Sequence, residues 1–240
     1  MRLVNEAEKM KNIVGGKVLG QVVNADMNVD RVHKTNTEFW STVGSEVLGS
    51  ISLPKWGAYL PSEDKLNLLG DLSDKSVLEI GCGNGGSLKY VADRGTTDLW
   101  GLDISASQIE RAKDFLVSQG VCVNLICSPM EDECGLPTDH FDLVYSVYGI
   151  GWTTDLDKTF KRIYSYLKND GIFVFGWSHP IHKCVSVDNG KLIFSNSYFN
   201  EEWYRADMSD KENAIKSDND FGRKAMMLPT AFVIKARKRD

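Results

Sequence analysis

Two carboxylates and a run of glycines carry the strongest chemical signal in this sequence. Gly81-Cys82-Gly83-Asn84-Gly85-Gly86 follows directly on the apolar stretch Val77-Leu78-Glu79-Ile80. Glycines reach backbone angles that other residues avoid, and without side chains they let a ligand lie against the main chain. A helix opening after them presents unpaired N–H groups and the positive end of its dipole. Glu79 stands two residues before Gly81, where a carboxylate can face a cationic amino group directly or through water. Asp103 follows Gly81 by about 20 residues, where a carboxylate can accept hydrogen bonds from both ribose hydroxyls. Gly81, Gly83 and Gly86 also spell GxGxxG, which alone equally suggests a dinucleotide site. Asp103 suits either kind of nucleotide ligand. Glu79 favours one that carries a cation, because a pyrophosphate has no use for a carboxylate beside it. The bland alternative is a strand-to-helix turn with no ligand.

Further candidates lie later in the chain. His179, in Trp177-Ser178-His179-Pro180, is the candidate general base, since an unperturbed imidazole titrates near neutral pH. It competes with a structural histidine held by Pro180. Tyr148 and Trp152 are expected on the acceptor side, Trp56 and Tyr59 in an N-terminal lid, and Tyr198 and Trp203 at a pocket wall. Such aromatic faces suit an apolar or ring-bearing acceptor and can steady a sulfonium. Packing under the lid is the alternative. Tyr164 and Lys168 spell YxxxK, the catalytic pattern of short-chain dehydrogenases, but they fall in the last turn of an amphipathic helix and read as boundary packing. His33, His140 and His182 stand in less suggestive places. Cys82, Cys122, Cys127, Cys134 and Cys184 are odd in number and lack CxxC spacing, so no disulfide framework and no metal site is indicated.

The elements that must position these residues alternate between strand and helix from residue 76 onward. Val77–Ile80, Leu99–Leu102, Val121–Cys127, Phe141–Val147 and Ile172–Trp177 read as strands. Helices are expected around Leu88, Val91 and Ala92, then from the capping box Ser105-Ala106-Ser107-Gln108 through Leu116. A third is expected over Asp155–Leu167, with Leu156, Phe160, Ile163 and Leu167 in phase. Such alternation implies a parallel sheet covered on both faces, with the ligand crevice at the carboxyl ends of the strands.

Upstream, residues 1–14 show helical spacing. Thr35-Asn36-Thr37-Glu38 reads as a capping box opening a helix with Phe39, Trp40, Val43 and Val47 on one side. A short helix is expected over Ser62–Leu69, ending at Gly70. Downstream, Asp188-Asn189-Gly190 reads as a hairpin turn, residues 208–220 are polar with little periodicity, and Ala231–Ala236 reads as a final strand. The expected organisation is an N-terminal helical lid over 1–70, a cofactor-binding core over 71–180, and a substrate-side hairpin and terminal strand of the same domain over 181–240.

Composition narrows the classes. The chain has 240 residues, 42% of them hydrophobic, and a net charge of -5. It is long enough for one sizeable core and not biased toward disorder. The acidic balance disfavours nonspecific nucleic-acid binding, and Lys235-Ala236-Arg237-Lys238-Arg239 reads as a solvated chain end. No stretch has the apolar length of a membrane span, and the charged N-terminus lacks a signal-peptide core, so a cytoplasmic protein without membrane or nucleic-acid partners is expected.

Taken together, Val77 to His179 resembles a class I S-adenosylmethionine-dependent methyltransferase of the group that includes the ubiquinone-biosynthesis and small-molecule enzymes (type 11). The resemblance rests on Val77-Leu78-Glu79-Ile80-Gly81-Cys82-Gly83-Asn84-Gly85, on Gly101-Leu102-Asp103-Ile104-Ser105, on Leu136-Pro137 with Phe141–Ser146, and on Leu167–Phe173. It implies a doubly wound, mostly parallel, seven-stranded-type α/β sheet of Rossmann-like form. It also implies S-adenosylmethionine as cofactor and a small-molecule methyl acceptor. Gly81 and Gly83, within the loop that includes Asn84 and Gly85, would then lie against the methionine part. Asp103 would hold the ribose, with Ile104 and Gln108 near the adenine edge. Met130 through its backbone and Glu131 through its side chain would face the adenine amine, and Ser146 or Val147 would offer a carbonyl to the amino group. Pro129 departs from the Asp that family members often carry. The family's usual extra helix and strand before the final strand also has no convincing period between Trp203 and Phe232. A nucleotide-cofactor oxidoreductase and a non-catalytic cofactor-binding protein stand as alternatives.

Overall fold

A computed structural model of the chain describes residues 29–48, 53–57, 60–198, 227–229 and 231–239, with side chains of the first helix described through Thr42. The expected helix over 1–14, together with Tyr59, Trp203 and the polar stretch 208–220, lies outside the described residues. The chain divides into two compact units, with boundaries after residues 35, 179 and 228.

The larger unit is built on a six-stranded sheet. Its strands are β1 (Ser76–Ile80), β2 (Asp98–Asp103), β3 (Asn124–Cys127), β4 (Phe141–Val147), β5 (Leu167–Ser178) and β8 (Ala231–Arg237). The order is β3-β2-β1-β4-β5-β8, parallel except that β8 runs antiparallel to β5. Strand order reverses between β1 and β4, so the crevice opens where their carboxyl ends part. This is a doubly wound, Rossmann-like architecture, with six strands in the sheet among the described residues.

Both faces of the central strands are buried, which is why β1 and β4 are mostly apolar, interrupted by Glu79 in β1 and by Asp142 and Ser146 in β4. Val77, Tyr145 and Val174 pack on one face with Leu88, Val91 and Leu116 of helices α3 (Gly86–Ala92) and α4 (Ala106–Ser118). Leu78, Ile80, Val144, Phe173 and Phe175 pack on the other with Ile163 and Tyr166 of α5 (Leu156–Tyr166).

Local expectations change where tertiary contacts outvote short-range pattern. Helix α1 runs Val29–Leu48, so Thr35-Asn36-Thr37-Glu38 sits inside it rather than capping it. The Thr35 hydroxyl donates to the Arg31 carbonyl one turn back, as mid-helix threonines do. The helix expected over Ser62–Leu69 shrinks to α2 (Glu63–Leu66), closed by Asn67 in the left-handed conformation. On α5 the buried side is Thr159, Ile163 and Tyr166, while Leu156 and Phe160 are exposed. At α4, Ser105 caps through its hydroxyl as expected. Gln108 does not complete the box, because Asp103 already holds the Ser105 N–H.

Trp56 corrects the expectation that it faces the acceptor. It is fully buried, its indole N–H donates to Glu63 Oε2 at 2.8 Å, and its ring meets Tyr145 edge-on at 6.5 Å. The other Glu63 oxygen accepts from the Leu69 N–H at 2.7 Å, so one buried carboxylate ties Trp56 to the chain leading into β1. A Cβ on Gly176 would stand 2.3 Å from the Trp56 carbonyl oxygen, so β5 reserves that space for the loop backbone.

The smaller unit includes α6 (Ile181–Cys184) and the hairpin β6 (Val185–Asp188) and β7 (Lys191–Phe194). Its turn residues Asn189 and Gly190 both have positive φ, as a two-residue hairpin requires. Among the described residues no helix is long and apolar enough to cross a membrane.

Trp56→Phe is expected to lower stability by about 1–3 kcal/mol, because Glu63 loses a buried donor. Thermal unfolding reads the loss, and the folded variant should bind nucleotide ligands as the parent does.

Candidate active site

The glycine loop is held by its neighbours before any ligand arrives. Gly81, Gly83 and Gly85 have φ of 74°, 51° and 80°, which explains the residue type at each. The Gly81 and Cys82 N–H groups donate to the Leu102 carbonyl. Asp103 pins two segments at once: Oδ2 accepts from the Gly83 N–H and Oδ1 from the Ser105 N–H, both at 2.9 Å. Burial raises its carboxyl above the usual range, opposed by those backbone bonds.

Across the switch point the loops after β1 and β4 meet backbone to backbone. A Cβ on Gly149 would lie 2.7 Å from Ser146 Oγ and 2.8 Å from the Ile80 carbonyl oxygen. The Ser146 hydroxyl donates to that same carbonyl at 2.8 Å. By contrast, a Cβ on Gly83 would meet nothing within 4 Å. The loop therefore lines open space while its base is closed. Asn84 caps the turn, its side-chain oxygen accepting from the Gly86 N–H at 3.3 Å.

Glu79 is the most costly group in the site. It is 2% exposed. One oxygen accepts from the Ser87 hydroxyl and the other from the Tyr145 hydroxyl at 3.0 Å. Burial pushes its carboxyl up to about 8, with the two hydroxyls opposing and Asp103 adding to the rise. The sequence reading missed both hydroxyl partners. Tyr145 was legible only as one polar tip in a mostly apolar β4, and Ser87 as a hydroxyl in the first turn of α3.

On the β2 side, α1 crosses the start of α4. Gln108 Nε2 donates to the Trp40 carbonyl at 3.0 Å, Arg111 Nη2 to the Ser41 carbonyl at 3.2 Å, and the Ser41 and Ser105 hydroxyls pair at 3.0 Å. Gln108 is buried, and its Oε1 has no partner among the described residues. Ile104 lies between Asp103 and Ser105, its carbonyl approached by the Cys127 thiol. Met130 packs partly buried against the α5-side core. Glu131, expected toward an adenine amine, is buried, and its Oε1 accepts from both the N–H and the hydroxyl of Thr154, anchoring the segment before α5.

The acceptor side gathers rings from three elements. Trp152, in the 3-10 turn Ile150–Trp152, packs against Phe39 at 5.8 Å and Trp40 at 5.1 Å of α1, and against Trp177 of β5 at 6.4 Å. Tyr148 meets Trp177 at 5.5 Å. It adopts φ 59°, an uncommon conformation for a bulky side chain, and its N–H donates to the Gly176 carbonyl. Val147 pairs with Gly176 beside it. A Cβ on Gly151 would clash with the Trp177 ring at 2.0 Å, so the turn reserves that space for the indole. His179 ends the unit just beyond β5, its ring 6.2 Å from Phe232. Tyr198 is exposed and belongs to the smaller unit.

The remaining candidates stand apart. His140 pairs with Asp98 at 2.6 Å at the amino ends of β4 and β2. Tyr164 donates to the Arg239 carbonyl at 3.1 Å and Lys168 pairs with Asp142 at 2.9 Å, so the YxxxK residues brace strand ends far from the glycine loop.

A family model described as a methyltransferase domain matches residues 78–175, the span that holds Glu79, the glycine loop, Asp103 and Tyr145. These residues are a methyltransferase domain. A malonyl-[acyl-carrier protein] O-methyltransferase of Priestia megaterium is 32% identical over 51% of this chain and 46% of its own. A sterol 24-C-methyltransferase of Aspergillus fumigatus is 26% identical over 61% of this chain and 45% of its own. The chain thus spans about half the length of the curated relatives it matches. In fold it matches a structure described as a putative S-adenosylmethionine dependent methyltransferase from Listeria monocytogenes, with a TM-score of 0.58, 22% identity, and coverage of 74% of this chain and 97% of that one.

The methyltransferase domain therefore stores a pH-dependent strain. Folding holds a proton on Glu79 from its ordinary value of 4.5 up to about 8. Between those values the folded state binds more protons than the unfolded chain, so stability falls as pH rises through the window. Glu79→Gln should flatten that dependence and raise stability above about pH 8 by a few kcal/mol, read as urea midpoints at acid and alkaline pH.

Proposed function

We propose that the chain transfers a methyl group from S-adenosylmethionine to a small organic acceptor by in-line displacement. The observation that carries this reading is a buried carboxylate, Glu79, set beside a glycine loop with open space and no cation among the groups that shift it. A ligand with an amino cation supplies the missing charge, which a dinucleotide pyrophosphate does not. Gly81, Gly83 and Gly85 with the Ser146 and Val147 backbone fit the methionine part, Asp103 the ribose, and Ile104, Gln108 and the Met130 backbone the adenine. When bound, the cofactor supplies an electrophilic methyl group on a sulfonium.

The chain's own task is positioning and exclusion of water, which carries most of the rate in such a displacement. Trp152, Tyr148 and Trp177 form the wall on the acceptor side. The α1 segment 36–42 acts as a lid, since it bonds to both Trp152 and the start of α4. His179 removes a proton where the acceptor carries one. The named relatives methylate oxygen and carbon, so the resemblance leaves the acceptor atom open.

Calorimetric titration with S-adenosylhomocysteine tests the cofactor. Binding is expected, and Asp103→Ala should weaken it at least tenfold. No binding at about millimolar ligand, with NADH bound instead, rejects the reading for an oxidoreductase. Tight binding without methyl transfer to any compound of a metabolite extract supports a non-catalytic binder. With an acceptor in hand, His179→Ala should lower kcat by about 10²–10⁴ and remove the acid limb of its pH profile. An unchanged profile assigns His179 to structure.

A further inference from the structure

We infer that the Tyr145 and Ser87 hydroxyls position Glu79 as a proton-linked receptor, so that capture of the cofactor's amino group expels a proton from this carboxyl. The inference rests on the proposed cofactor and goes beyond it in assigning Tyr145 and Ser87 a task and binding a proton balance.

The geometry comes from three elements. Glu79 is on β1, Tyr145 on the adjacent β4, and Ser87 on α3 directly after the glycine loop. Each carboxyl oxygen has one hydroxyl partner. Hydroxyls can donate to a carboxylate or accept from a carboxylic acid, so the same two groups satisfy Glu79 in either protonation state. A lysine or arginine in their place would fix it as the anion.

The surrounding field keeps the proton on. The titratable groups facing Glu79 are Asp103 of β2, Cys82 of the loop and Tyr145 of β4, and none of them is a cation. Behind the Tyr145 ring lies Trp56, bound to the buried Glu63 carboxylate. Burial pushes the Tyr145 and Cys82 protons far out of the working range as well. Burial pushes the Glu79 carboxyl up to about 8, into the neutral range. When an ammonium arrives, the Glu79 O–H bond breaks, the proton leaves to solvent, and the carboxylate stays bonded to both hydroxyls while it pairs with the ligand.

The consequence is a ligand affinity that falls on acidification in a range where an ordinary glutamate would already be ionised. Calorimetry with S-adenosylhomocysteine, in buffers of differing ionisation enthalpy, measures both affinity and protons released. Below about pH 7.5 the ligand's own amino group stays largely charged, since α-amino groups titrate at roughly 7.7–8.0. For the parent protein, close to one proton should leave per ligand at about pH 6.5, and affinity should drop about twentyfold between about pH 7.5 and about pH 6. Tyr145→Phe removes a donor to the anion and should raise the Glu79 carboxyl further. Affinity at about pH 7.5 is then expected to fall roughly tenfold, with more protons released per ligand than in the parent. Ser87→Ala, at a half-buried helix position that alanine suits, should act in the same direction and serves if the tyrosine variant does not fold. Glu79→Gln should abolish the release of this proton.

Ligand binding by the parent with no proton release and a flat affinity over this range overturns the inference while leaving the cofactor assignment intact. So does a Tyr145→Phe variant that loses affinity yet releases only the parent's number of protons per ligand at about pH 7.5, since that marks Tyr145 as packing only. Failure of the parent to bind S-adenosylhomocysteine at any pH rejects the cofactor itself.

Discussion

A carboxyl group held out of water at the end of the central strand is the constraint around which this molecule is arranged. Glu79 lies on the face of β1 that packs against α3 and α4, among Val77, Leu88 and Tyr145. An isolated charge there is costly, so the group keeps its proton or finds a partner. The protein supplies two hydroxyls and no cation. Those two hydroxyls can serve the carboxyl with or without its proton, so its charge is left to respond to its surroundings.

Close backbone packing makes the arrangement possible. Gly81 and Gly149 bring the loops after β1 and β4 into contact at the point where strand order reverses. Asp103 then ties the glycine loop to the start of α4 through two backbone N–H groups. The open side of Gly83 remains, bordered by Asp103 and the glycine loop. Donor groups that could have been left to solvent are thus already oriented, so little reorganisation is needed when a ligand enters. A similar economy appears at the far side, where Gly151 lets the Trp177 ring lie against the 3-10 turn that carries Trp152.

The resemblance to O- and C-methylating relatives fits this division of labour. The half of the chain around the glycine loop carries the features of cofactor recognition. The ring cluster of Phe39, Trp40, Tyr148, Trp152 and Trp177 draws on α1, the β4 loop and β5, segments separate in the chain from the glycine loop. One fold can then present the same methyl donor to chemically different acceptors.

The sequence alone determined the strand–helix alternation, the glycine loop with its flanking Glu79 and Asp103, the Asn189-Gly190 turn and the final strand. Each is a local signal: apolar runs of strand length, glycines where φ must be positive, and a carboxylate at a strand end. Tertiary structure decided what local pattern could not. It buried Trp56 because Glu63, seven residues on, offers its indole a partner and Gly176 leaves room for its backbone. It carried α1 straight through Thr35-Asn36-Thr37-Glu38, where spacing alone suggested a helix start. It bonded Glu131 to Thr154, and it paired Glu79 with Tyr145 across 66 residues of chain. Sequence periodicity reports which face of an element is apolar. Which polar groups meet inside depends on strand order and register, and those exist only once the sheet has closed.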